Sequence, residues 1–144
     1  MDDTLKPGDQ IVSPSKTLTD AHFLFFAGLT GDNHPIHYDV EYAAKTKFGK
    51  PLAHGLLLAS MTALGASAAT DKIDGFVFVE YGCKFLKPVA VGDTIKPLLQ
   101  VETIWNEGKR RFIRLKATLT NQRGEIVLEG FHVYQIMPHA PVGE

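Results

Sequence analysis

Residues 51–70 read PLAHGLLLASMTALGASAAT, without a single Asp, Glu, Lys or Arg. That is close to the roughly 20 apolar residues a helix needs to cross a bilayer, so the first choice is between membrane and core. Pro51, His54, Ser60, Thr62, Ser67 and Thr70 interrupt the run, and the segment after it favours the core. Beyond Asp74-Gly75 the pattern alternates: Ile95, Leu99, Val101, Thr103 and Trp105 share one face, with Lys96, Gln100 and Glu102 on the other. Ile113, Leu115, Ala117 and Leu119 alternate in the same way with Arg114, Lys116, Thr118 and Thr120. Period two marks half-buried antiparallel strands. A helix apolar on all sides is buried when such a sheet curls around it. The expectation is an α+β domain in which a long helix starting near His54 is wrapped by about four strands. The first of these runs from Phe76 to about Phe85 and the last from about Ile126 to Met137.

Upstream, Ile11 to Thr19 is β-prone but broken by Pro14, which predicts a short, irregular edge strand. Thr19 or Asp20 can cap a helix through AHFLFFAGL, and GDNHP then breaks the chain with turn residues. Asp39 can cap a second helix, VEYAAKTKF, closed by Gly49 and Pro51. NEGK and NQRGE have the character of hairpin connections.

The chain has 144 residues, 44% of them hydrophobic, with 15 basic and 16 acidic side chains and a net charge of −1. One domain spanning 1–144 accommodates this, with enough chain to bury a core. Near-neutral charge lacks the basic stripe of a nucleic-acid binder, so the expected partner is a small molecule, with no nucleic acid and no membrane. MDDTLKPGDQ lacks the basic start and apolar run of an export signal. The lone Cys83 offers neither a disulfide nor a zinc pattern. Both point to the cytoplasm. Neither GxGxxG nor GxxxxGK[ST] occurs, which argues against a nucleotide-binding core.

The densest polar stretch is Thr30-Gly31-Asp32-Asn33-His34-Pro35-Ile36-His37-Tyr38-Asp39. A carboxylate and an imidazole brought together can hold a water and move its protons, the equipment of a hydratase, dehydratase or hydrolase; Asp32 and His37 are the candidate pair. The plainer reading makes Asp32 and Asp39 turn and cap residues and leaves the histidines exposed. Asp32, His34 and His37 are also possible metal ligands, but His34 and His37 straddle Pro35 without the i, i+4 placement of an HExxH helix, and no metal is expected. The second candidate is Leu52-Ala53-His54-Gly55-Leu56-Leu57. Amides opening a helix lack internal acceptors and can bind a developing oxyanion. The alternative is a glycine selected for tight packing, with His54 merely capping.

Taken together, LTGDNHPIHYDVEYAAKTKFGKPLAHGLLLAS resembles the signature of the MaoC-like, or R-specific enoyl-CoA hydratase (hydratase 2), family, and KFLKPVAVGDTI, Lys84 to Ile95, resembles that family's later strand and turn. The resemblance implies a hot-dog fold, a long helix gripped by a curved antiparallel sheet, assembled as a homodimer or higher homo-oligomer. Residue by residue, it implies Asp32 and His37 as the catalytic pair and the Gly55 amide as the oxyanion donor. The implied reaction is reversible syn addition of water to a trans-2-enoyl-CoA thioester, with CoA part of the substrate and no separate cofactor. The family motif usually has Asn two residues after the aspartate, where this chain has His34, with Asn33 one place earlier. A serine that some members use falls here on Ala63. His34, His54 and Thr62 are candidate substrate contacts, and Arg110 and Arg111, within a basic hairpin, are candidates for the CoA phosphates. A hot-dog thioesterase, a non-catalytic acyl-thioester-binding subunit and an acyl-carrier protein donor are the alternatives.

Overall fold

Four long strands frame the computed structural model, which describes residues 5–65 and 73–138. They are β3 (Ile73–Phe85), β4 (Thr94–Glu107), β5 (Arg110–Thr120) and β6 (Ile126–Pro138), joined by two short strands, β1 (Gln10–Val12) and β2 (Lys16–Thr17). The antiparallel sheet runs β1-β4-β5-β6-β3, with β2 pairing on β4. Pro14 divides the irregular N-terminal edge into its two pieces, as the sequence predicts. The β4–β5 hairpin turns at Gly108, whose φ of +62° lies in the left-handed region open to glycine. In the β5–β6 turn, Asn121 Oδ1 accepts from the backbone N–H groups of Arg123 and Glu125.

The alternation read from β4 and β5 is the one that packs: Ile95, Leu99, Val101, Ile113, Leu115, Ala117 and Leu119 are all buried. It fails beyond Val101, where the β4–β5 register shifts. An extra residue in one strand sends the following side chains to the opposite face. Thr103 is therefore exposed, and Ile104 packs against the core instead.

Among the described residues three helices accompany the sheet: α1 (Asp20–Thr30), α2 (Val40–Ala44) and α3 (Gly55–Ser60). Thr19 caps α1, and His22 takes the place of the usual capping-box Glu, its Nδ1 accepting the Thr19 N–H at 2.9 Å. Asp39 caps α2 by accepting the Tyr42 N–H at 3.0 Å. The expected long helix at His54 is shorter than its composition suggests. Ser60 and Thr62 hydroxyls donate to the Leu57 and Ala59 carbonyls, and the amides of Thr62 and Ala63 bond three residues back. Together they tighten the last turn, and Gly65 follows at φ +65°. The remainder of the predicted helix, 66–70, lies outside the described residues. Nor is α3 buried all round: Leu57 and Leu58 face the sheet while Leu56 is 69% exposed.

Phe23, Phe26, Leu57 and Leu58 from the helices meet Ile95, Leu119 and Leu128 from the sheet in one cluster. Each such side chain fully buried stabilises the fold by roughly 1.5–3 kcal/mol. This cluster sits directly beneath the polar loop of the candidate site. Among the described residues no helix is long and apolar enough to cross a membrane.

Candidate active site

Helix α1 ends at Gly31, whose φ of +80° and N–H bond to Ala27 O turn the chain sharply out of the helix and deliver Asp32. A single 3₁₀ turn, Pro35–His37, follows, opened by His34, whose Nδ1 accepts the Ile36 N–H at 3.1 Å. That bond makes His34 a cap for the turn, with its ring exposed and edge-on to His37 at 6.2 Å. Leu52 holds the turn from the other side: its N–H donates to Ile36 O at 3.0 Å, and its carbonyl accepts from His37 Nδ1 at 2.7 Å. Leu52 is itself bridged to Ala90, and the Ala53 N–H donates to Val89 O. The β3–β4 connection thus anchors the strip that positions His37.

With its Nδ1–H bound to Leu52, neutral His37 presents a bare Nε2 lone pair. That atom stands 3.9 Å from Asp32 Oδ1, too far for a direct hydrogen bond and suited to two groups that share a third atom between them. The His37 side chain is 13% exposed and that of Asp32 51%, so the pair opens to solvent on the carboxylate side.

His54 lies under both. It is buried, its Nε2–H donates to the backbone carbonyl of Asp32 at 3.0 Å, and its ring stacks on His37 with centroids 3.6 Å apart and planes at 19°. Phe26 packs on it at 4.8 Å and Phe23 at 6.4 Å. Burial holds the His54 pKa below its ordinary value, aided by the nearby His37 and opposed by the bond to Asp32 and the Asp32 charge. Among the described residues its Nδ1 has no hydrogen-bond partner. His54 is the N-cap residue of α3, but its side chain makes no capping bond. Donor atoms of Asp32, His37 and His54 all fall within 4.8 Å of one another.

Gly55 opens α3 immediately after His54, exposed, beside a groove of about 220 Å³ lined by Leu52, Ala53, Leu58, Phe85 and Val89. A Cβ there would approach the Phe85 ring to 3.3 Å, so close packing also favours glycine. A larger groove of about 560 Å³ spans β3, β6, β5 and β4, lined by Lys84, Glu102, Arg114, Lys116, Glu129 and Phe131 among others. Two of its cations are already paired, Arg114 with Glu102 and Lys116 with Glu129.

The model of the MaoC like domain family matches residues 4–123. The chain belongs to the MaoC-like family. Among its relatives, the (R)-specific enoyl-CoA hydratase of Rhodospirillum rubrum is 32% identical over 123 residues, 84% of this chain and 81% of that protein. The 3-hydroxybutyryl-CoA dehydratase of Methylorubrum extorquens is 33% identical, covering 80% of this chain and 71% of that one. The solved (R)-hydratase of A. caviae, involved in PHA biosynthesis, superposes with a TM-score of 0.80 at 29% identity, over 90% of this chain and 96% of that structure. The MaoC-like chain has the hot-dog fold, and its relatives are hydratases and dehydratases.

Not every candidate residue of this MaoC-like chain gathers at the site. Thr62 is buried, and its hydroxyl donates to Ala59 O and accepts from His132 Nε2 at 2.8 Å. His132 Nδ1 in turn accepts from the Tyr134 hydroxyl at 2.7 Å, so a neutral His132 is satisfied on both sides. Desolvation pushes its pKa down to about 4 and that of Tyr134 up to about 12. Arg110 and Arg111 are exposed at the hairpin end of β5. Leu119, which packs with Phe26 and Leu57 below the site, is eight residues further along, about 27 Å of extended strand. Sequence reasoning missed Leu52, which acts through its backbone, and the His132–Tyr134 pair. The available signal for the latter was two polar residues two apart, on one face of an apolar strand.

Proposed function

We propose that this chain is an R-specific enoyl-CoA hydratase, equally a 3-hydroxyacyl-CoA dehydratase in the reverse direction. One observation carries the reading: the Asp32 carboxylate and the bare Nε2 of His37 face each other at 3.9 Å, with His37 fixed in that tautomer by Leu52 O. A water between them loses a proton to the pair as its oxygen bonds to C3 of a trans-2-enoyl thioester. The pair returns a proton to C2 on the same face, so the addition is syn and no atom is left over. Negative charge gathers on the thioester oxygen meanwhile. The Gly55 N–H, at the first position of α3 and beside the apolar groove, is the donor for it.

This chemistry uses no metal and no organic cofactor beyond the substrate's CoA. The proximity of Asp32, His37 and His54 does not amount to tetrahedral ligation, because the two imidazoles are stacked nearly parallel and in-plane lone pairs on parallel rings do not converge on one ion. The protein works as a homodimer in the cytoplasm. In support, among the described residues β3 pairs with β6 on one side only, and along it Val77, Phe78 and Val79 are about half exposed, an edge of the kind that pairs with another chain.

Loss of enoyl-thioester absorbance with crotonyl-CoA, followed by chiral analysis of the product, tests the proposal. R-3-hydroxybutyryl-CoA formation that collapses in Asp32→Asn and His37→Ala supports it. Thiol release with the double bond retained indicates a thioesterase, and acyl-CoA binding without turnover indicates a binding subunit.

A further inference from the structure

Phenylalanine would fill the His54 site, between Phe23, Phe26 and the His37 ring, without burying an unpaired nitrogen. The chain instead places an imidazole there, with Nδ1 buried and without a partner among the described residues. Such an atom calls for an explanation, and helix capping does not supply one, since the His54 side chain bonds no amide of α3. What the imidazole adds is an Nε2–H aimed at Asp32. Its acceptor is the Asp32 backbone carbonyl, which fixes the residue while leaving the carboxylate open. The flat face of the same ring lies against His37 at 3.6 Å. Leu52 O restrains one edge of His37, and the stack restrains its plane, so the two contacts together leave the ring one orientation.

We propose that His54 is the positioning residue of the site, a single neutral imidazole that sets Asp32 through a hydrogen bond and His37 through stacking. The inference rests on the hydratase reading for its kinetic consequences but not for its geometry. Neutrality is part of the device: a charged His54 would repel His37 as it accepts a proton. The charged and titratable groups facing the stack are Asp32, His37 itself and, across His37, His34. The apolar rings of Phe23 and Phe26 also pack on His54.

Two substitutions separate the contacts. His54→Gln keeps an Nε2–H donor and loses the stacked ring; His54→Phe keeps the ring and loses the donor. Each should lower kcat for crotonyl-CoA about tenfold or more, with KM within about twofold and the folded fraction unchanged at assay temperature. His54→Ala, which removes both contacts, should fall further than either. Nitrogen-15 histidine spectra provide a readout independent of turnover. His37 should be a single Nδ1–H tautomer in the wild type and in His54→Phe, which keeps the stack, and a tautomer mixture in His54→Gln and His54→Ala. Wild-type kcat in both His54→Gln and His54→Phe overturns the inference. So does a loss of activity that only follows a loss of folded protein while the His37 spectrum of His54→Gln stays unchanged. Should the wild type turn over no thioester at all, the hydratase reading fails, and the His37 spectra still decide the role of His54.

Discussion

The carbonyl of Leu52 accepts a hydrogen bond from Nδ1 of His37 at 2.7 Å, which turns the opposite nitrogen of that ring, bare, toward Asp32. A backbone group thus sets the protonation geometry of the candidate base. Acid–base groups in such positions contribute on the order of 10²–10⁴ in rate. Asp32→Asn, which keeps the shape and removes the charge, and His37→Gln should each lower kcat for crotonyl-CoA by that range. A spectrophotometric assay of purified, folded variants checks this.

Gly55 allows its amide to be tested apart from its size. Proline is tolerated at the first position of a helix, and His54, at φ −61° and ψ 141°, already has the extended conformation that a residue before proline requires. Gly55→Pro therefore removes the N–H with little backbone cost. It should lower kcat by about 10²–10³, the loss typical of one oxyanion donor. Gly55→Ala retains the N–H and needs only a small shift of the half-exposed Phe85 ring, so it should stay within about threefold of wild type, of order 0.6 kcal/mol in barrier. Equal loss in both variants would assign Gly55 to packing alone.

Folding stability should fall on acidification through the Thr62–His132–Tyr134 network. Unfolded His132 takes up its proton near 6.5, whereas the folded protein resists until about 4. Between these values the unfolded state binds more protons, so stability drops as pH falls through the window and levels off below it. A shift of this size corresponds to at most about 3 kcal/mol. Buried His54, whose pKa is also lowered, adds in the same direction. Urea unfolding at pH 7, 5.5 and 4 should show this slope, and His132→Gln should flatten it while lowering stability at pH 7.

The exposed edge of β3 makes a prediction about assembly. Lysines on an edge strand oppose strand addition, so Val77→Lys with Val79→Lys should convert a dimer into monomers by light scattering on a sizing column. A wild-type protein that is monomeric at micromolar concentration would remove the proposed pairing altogether.

Much of the fold was legible in the sequence because its signals are local. Strand alternation, the Thr19 and Asp39 caps and the turn glycines act over a few residues, and the long strands and the starts of α1 and α2 appear where those signals place them, although α2 ends at Ala44 and does not run on to Gly49. The bulge after Val101 was not legible: it depends on how β4 meets β5, and it moves Thr103 out and Ile104 in. The short α3 was hidden for a related reason, since hydroxyls of Ser60 and Thr62 compete for carbonyls within a run whose composition suggests only burial.

At the site, the sequence by itself determined the proximity of Asp32 and His37, five residues apart across a proline turn. Tertiary structure decided their supporting contacts. His37 bonds to a carbonyl 15 residues away, His54 to one 22 residues away, and Thr62 to an imidazole 70 residues away. No periodicity or capping rule spans such distances, because these partners are chosen by which polar groups the packed helices and sheet bury together. His54 therefore reads in the sequence as a helix cap, and only the folded chain shows it beneath Asp32 and His37.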